Sequence, residues 1–324
     1  MSRIGYCPPD RVIWDFWVSE VDGTYHLFHL QAPAGTEPSE RHHCSSVGHA
    51  VSTDLREWTD RGTILEPSAD RAAWDSLALW TGWTLERDGR HYLFYTGRSR
   101  RDPDGHTQRI GVATSTDLRT WKPHPANPVL PPDDRYAGRE ETVDGTVPWR
   151  DPCIVRDPES GTFYAFVTAR DPDRPPGRRG CIARARSADL VEWEVLPPAA
   201  SPGRYREMEV PSLHRRDGRW YLLFSVQASW YADHVPADDR QTGVRYLVAD
   251  ALDGDFAPPE TDDLLLGSDS RQYTGRVVPD PDGRDVFLTW NAGPELGHPD
   301  APNPYSLAPP RDLRYGERGG LGLD

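Results

Sequence analysis

Three acidic residues stand in settings that suit chemistry better than solvation. Asp15 lies among large rings in Trp14-Asp15-Phe16-Trp17, Asp151 follows a cation in Trp149-Arg150-Asp151-Pro152, and Glu209 belongs to Glu207-Met208-Glu209-Val210-Pro211. In a strand, period-two alternation turns Glu207 and Glu209 to the same side. Crowded carboxylates raise one another's proton affinity, so one can give a proton near neutral pH while another attacks. Acids used in this way beside aromatic surfaces are equipment for cleaving a glycosidic bond. No metal or organic cofactor is expected, because the carboxylates suffice for attack and for proton transfer.

An internal repeat supplies the elements that position these residues. A turn feeding an aromatic-rich strand recurs five times, at Asp22-Gly23, Asp88-Gly89, Ser160-Gly161, Asp217-Gly218 and Asp282-Gly283. Asp-Gly tolerates the positive φ angles of tight hairpins, so each copy reads as a hairpin. A second element follows at a near-constant lag: Ala50 to Leu55 ending at Trp58, Ala113 to Leu118 ending at Trp121, and Ala185 to Leu190 ending at Trp193. Arg245 to Phe256 is a degenerate fourth copy. A hairpin, a third strand and a capping loop make a four-stranded blade. The expected fold is therefore all-β, a five-bladed β-propeller forming a single domain over residues 1–324, with blades starting near 12, 74, 147, 205 and 271. The segment from about Ile4 to Ile13 is expected to close the ring, and 293–324 to be an irregular C-terminal tail.

In such a ring the strand before each turn is innermost, and residues equally far before their turns lie at similar heights. Asp15 is 8 residues before Gly23, Asp151 is 10 before Gly161, and Glu209 is 9 before Gly218. At the same phase, blade two contributes Trp80 and Thr81 and blade five contributes Tyr273. Three acids and several rings should thus converge at one end of the channel.

Composition narrows the partners. A formal net charge of -14, from 51 acidic and 37 basic residues, argues against nucleic acid or an anionic membrane as a partner. A small neutral carbohydrate is the partner expected; composition does not address oligomeric state. Lys122 is the sole lysine, a mark of genome composition or of salt adaptation. The first ten residues have no apolar signal core, and Cys7, Cys44, Cys153 and Cys181 form no C-x-x-C pair. A cytoplasmic protein with free thiols is the expectation.

The motifs resemble those of glycoside hydrolase families 32 and 68, the β-fructosidases and fructosyltransferases, and more loosely family 43. Trp14-Asp15-Phe16-Trp17 is similar to the family 68 nucleophile motif W-D-S-W, and Arg150-Asp151-Pro152 matches R-D-P, whose Asp holds substrate hydroxyls. Glu209-Val210-Pro211 resembles the segment carrying the general acid/base. Asp75 and Trp80-Thr81-Gly82 resemble the W-S-G segment lining the sugar subsite, with Thr81 in place of the serine. The β-sandwich module of family 32 is not found in these 324 residues. The resemblance implies catalytic Asp15, Asp151 and Glu209, with Trp14, Trp17, Asp75, Trp80, Thr81, Arg150, Glu207 and Tyr273 binding substrate and no metal ligands. The activity it implies is retaining cleavage or transfer on a β-fructofuranoside such as sucrose. Alternatives are an inverting family 43-type arabinofuranosidase or xylosidase, and a non-catalytic carbohydrate-binding propeller.

Other motifs have simpler readings. Asp22, Asp88 and Asp217 are turn formers, and Asp54, Asp117 and Asp189 are expected to bond loop backbone. His42-His43-Cys44 with His49 matches no zinc spacing and is expected to be a solvated loop. The charge run from Arg98 to Asp104 reads as surface.

Overall fold

The computed structural model describes residues 5–102, 105–138, 145–301 and 303–324; Ile4 and Asp104 lie outside them. The hairpin turns form as their sequences require. Asp22-Gly23, Asp88-Gly89 and Asp217-Gly218 all have both residues at positive φ, the geometry that matches strand twist. Five antiparallel sheets of four strands result, each built from consecutive strands.

Blade one comprises β1 (Arg11–Val21), β2 (Thr24–Pro33), β3 (Ser46–Ser52) and β4 (Thr59–Leu65), with the short helix α1 (Pro38–Arg41) between β2 and β3. Blade two holds β5 (Ala78–Arg87), β6 (Arg90–Arg98), β7 (Gln108–Ser115) and β8 (Lys122–Pro123). Blade three holds β9 (Arg150–Arg156), β10 (Phe163–Arg170), β11 (Gly180–Ser187) and β12 (Glu194–Ala200). Blade four holds β13 (Glu209–Arg216), β14 (Arg219–Val226), β15 (Gly243–Ala249) and β16 (Leu264–Leu266). Blade five holds β17 (Gln272–Pro279), β18 (Asp285–Asn291), β19 (Arg311–Tyr315) and β20 (Leu321–Leu323). The inner strands β1, β5, β9, β13 and β17 touch in turn around the axis, which makes the molecule a five-bladed β-propeller.

Two expectations about the chain ends need correction. The stretch 293–324 is not an irregular tail, because it supplies β19 and β20, the outer strands of blade five. The ring is not closed by a borrowed strand either. Arg11–Val21 is the inner strand of blade one, and among the described residues before it only Tyr6 forms an isolated bridge, with Leu307. A long excursion between β18 and β19 hid the last strands, whose five and three residues are too short for a pattern.

The second repeated element caps the blades as expected. The Asp54, Asp117 and Asp189 carboxylates each accept two backbone N–H bonds from the residues two and three ahead. Ser52, Ser115 and Ser187 accept from the amides of Leu55, Leu118 and Leu190, which sit at positive φ. Between blades, apolar side chains merge into shared cores: Trp17, Phe28 and Leu93 join blades one and two, and Phe166, Leu222 and Phe224 join three and four.

Candidate active site

Every inner strand carries a β-bulge near its start. The register slips by one residue between Trp14 and Phe16, Trp80 and Gly82, opposite Phe166 and Thr168, between Glu209 and Ser212, and between Tyr273 and Arg276. A bulge leaves a residue outside the ladder and re-aims its side chain. Asp15, Asp151, Val210 and Thr274 accordingly have φ of 23, 57, 53 and 56°. Pairing across the bulges makes Asp15, Thr81, Asp151, Val210 and Thr274 equivalent, and likewise Trp14, Trp80, Arg150, Glu209 and Tyr273. Glu209 thus stands one position earlier in its bulge than the two aspartates, a distinction that counting from the turns does not reveal.

All of these positions except Val210 and Thr274 line a cavity of about 300 Å³. Asp15, Asp151 and Glu209 meet there with Trp14, Trp80, Thr81, Arg150, Glu207 and Tyr273. Trp17 and Asp75 do not line it. The Trp17 ring is buried between blades one and two, and its Nε1–H donates to Thr84 Oγ1 at 2.8 Å. Asp75 is buried outside the cavity and accepts the Tyr95 hydroxyl at 2.9 Å. Trp17 faces away from the axis because the bulge at Asp15 reverses the alternation that seemed to carry it inward.

Each carboxylate has distinct partners. Asp15 Oδ1 accepts from Thr274 Oγ1 at 2.7 Å and Trp290 Nε1 at 3.1 Å, and among the described residues Oδ2 accepts only from Thr81 Oγ1 at 3.3 Å. Asp151 Oδ2 takes the Thr168 hydroxyl at 3.0 Å, the Val210 amide at 3.1 Å and Arg150 at 3.2 Å. Burial nonetheless raises the Asp151 proton affinity, Arg150 opposes this, and the Asp15 charge adds to it. Glu209 is bonded by the Tyr273 hydroxyl at 2.7 Å and by Arg150 Nη2 at 3.1 Å. Burial pushes its carboxyl up to about 8, with Arg150 opposing and the Asp151 and Asp15 charges reinforcing the rise. Glu207 is held by Arg150 at 2.7 Å and by Arg170 at 2.8 Å. One half-buried acid poised to carry a proton therefore faces another held by neutral donors.

Sequence reading missed several wall residues. Trp290 on β18 reaches Asp15 because it pairs with Tyr273. Arg41 stacks on Trp14 with its Cζ 4.8 Å from the ring and bridges at 2.6 Å to Glu295, which joins the rims of blades one and five. The histidine loop is solvated only in part: Cys44 is exposed and His43 half-buried. His42 lines the cavity between Trp14 and Trp80, where burial pulls it down to about 3, and His49 stacks on Phe28 in the core. Among the described residues no group of three or more His, Cys, Asp or Glu could hold a metal ion. No helix there is long and apolar enough to cross a membrane.

Fold and cavity together define a five-bladed propeller with a carboxylate pocket on its axis, an architecture shared with known carbohydrate-active proteins. Within that class the chain belongs to the family of the glycosyl hydrolases family 32 N-terminal domain, whose model matches residues 17–320. It is similar to a sucrose-6-phosphate hydrolase of Pediococcus pentosaceus, 28% identical over 290 residues that cover 87% of this chain and 52% of that protein. An extracellular sucrase of Zymomonas mobilis is 25% identical, with 82% of this chain and 73% of that protein covered. The chain spans about half the length of the sucrose-6-phosphate hydrolases it matches. In fold it is similar to the inulosucrase of Halalkalicoccus jeotgali solved with kestose, with TM-score 0.77 and 23% identity, covering 99% of this chain and 89% of that one. The family match leaves the family 43 alternative without support.

Proposed function

We propose that the protein is a retaining β-fructofuranosidase that cleaves sucrose or a short fructooligosaccharide. The observation that carries this reading is the contrast between the two acids: Asp15 holds an oxygen with one long contact, while Glu209 is pushed up to about 8 and stays protonated at neutral pH. Asp15 Oδ2 attacks the anomeric carbon, and Glu209 passes its proton to the departing oxygen. The ionised Glu209 then takes a proton from water as that water displaces Asp15, restoring both groups. Asp151, Trp14, Trp80 and Thr81 bind the fructosyl unit, while Trp230, Gln227 and Arg206 on the opposite rim accommodate the leaving sugar. The match to family 32 and the sucrose-cleaving relatives support this substrate class.

The test is a screen on sucrose, inulin-type and levan-type oligomers and aryl arabinofuranosides, with the first product's anomeric configuration read by NMR. Fructose released with retained configuration is the expected result. Inversion would assign Asp15 to a general base. Asp15→Asn should abolish turnover on every substrate and leave circular dichroism unchanged, because an amide cannot serve as nucleophile.

A further inference from the structure

We infer that Arg276 is a positioning residue for this reaction, fixing from outside the cavity the bulges that aim Asp15 and Glu209 and setting a buried positive charge against Asp15 and Asp151. The inference rests on the reading of Asp15 and Glu209 as the reacting pair. Arg276 follows the bulge of β17, does not line the cavity and is 2% exposed. Its equivalents on the other inner strands are Trp17, Trp83, Cys153 and Ser212. The equivalents Cys153 and Ser212 are small, and the Arg276 Cζ lies 5.4 Å from the Trp83 ring.

Among the described residues the guanidinium bonds only backbone carbonyls. Nε donates to Phe16 O at 3.1 Å, and Nη1 to Val210 O at 3.2 Å, Pro211 O at 3.3 Å and Gly275 O at 3.2 Å. The Phe16, Val210 and Gly275 carbonyls directly follow Asp15, Glu209 and Thr274 in three separate bulges, and that of Pro211 is one residue further on. A bulge takes carbonyls out of the ladder, and a buried carbonyl needs a donor. One rigid fork thus ties three inner strands where their side chains turn into the pocket. Among the described residues no carboxylate bonds Arg276 directly. Burial pulls its proton affinity down, and its charge is met across space by Asp15 and Asp151. Asp15 in turn is faced by Asp151 from β9, by Glu209 from β13, and by Tyr273 and Arg276 from β17.

The experiment measures kcat/KM against pH on sucrose for the full chain, Asp15→Asn, Arg276→Met and Arg276→Lys, with Tm and circular dichroism as fold controls. In folded Arg276→Met, kcat/KM should fall roughly 10²-fold, since small misplacements of reacting groups cost that much. Its acid limb should move up by roughly one pH unit, because ionised carboxylates lose a nearby cation. Arg276→Lys keeps the charge without the fork, so kcat should fall while the acid limb stays in place. A lowered Tm with the rate and limb of Arg276→Met unmoved would make Arg276 a structural plug and overturn the inference. If Arg276→Met does not fold, Arg276→Lys decides, and wild-type kcat in that variant overturns it. A wild type inactive on every fructofuranoside would sink the underlying reading and this inference together. Active wild type, inert Asp15→Asn and unaffected Arg276 variants would sink this inference alone.

Discussion

At Glu209 burial and two neighbouring carboxylates act against the Arg150 guanidinium and the Tyr273 hydrogen bond, and burial is the largest influence. The consequence is a pH dependence with a definite sign. As general acid Glu209 must be protonated, so kcat/KM on sucrose should fall as pH rises through about 8. Stability follows the same direction. A raised native pKa stabilises the fold below the unfolded value of 4.5, and that contribution is lost as pH climbs through about 8. Glu209→Gln should therefore gain stability relative to wild type across that interval, measured by urea melts at pH 4.5 and 8.5. The same variant should lose roughly 10²–10⁴-fold on sucrose yet retain its first step with an activated aryl leaving group, and azide should rescue the second. Glu207→Gln is the control. It leaves Arg150 and Arg170 short of a buried partner, so it should destabilise by about 3–5 kcal/mol without azide rescue.

Among the elements, the inner strands carry both the site and the joints between blades. Trp17 serves the joint: its ring stacks on Phe28 at 5.9 Å and its N–H reaches across to Thr84. Trp17→Ala should cost about 3–5 kcal/mol, as large-to-small core changes do. Denaturant melts would read that loss, and KM for sucrose in the folded fraction should stay unchanged. A raised KM with unaltered stability would return Trp17 to the substrate. The capping loops give a smaller effect. Ser187→Ala removes the acceptor of the Leu190 amide and should cost about 1 kcal/mol, visible as a lower Tm.

For the whole molecule, closure depends on the last fourteen residues, 311 to 324, although none of them lines the cavity. β19 covers the edge of β18, β20 covers β19, and the Leu321 amide donates to Tyr246 of blade four at 2.9 Å. An uncovered strand edge is a template for association with other chains. Truncation after residue 310 should therefore give oligomers or aggregates by size-exclusion chromatography and a lowered Tm, even though every pocket residue remains. A monodisperse truncated protein with wild-type Tm would show that blade five does not need its outer strands. Exhaustive chelation, by contrast, should leave sucrose cleavage unchanged; activity lost and then restored by one specific ion would count against metal-free chemistry.

The amino-acid sequence alone determined the blade count and three of the five acids that, among the described residues, line the pocket, because hairpin turns and strand periodicity are local and recur at a readable spacing. Asp15, Asp151 and Glu209 were legible for the same reason: each precedes a turn by nearly the same distance. Tertiary structure decided what depends on the bulges. One inserted residue per inner strand reverses the alternation, sending Trp17 into the core and leaving Glu209 one position out of step with the aspartates. Trp290, Arg41 and Arg276 gain their roles from cross-strand and cross-axis neighbours separated by up to 275 residues, as between Asp15 and Trp290. No local pattern marks such contacts, since they exist only once the ring has closed.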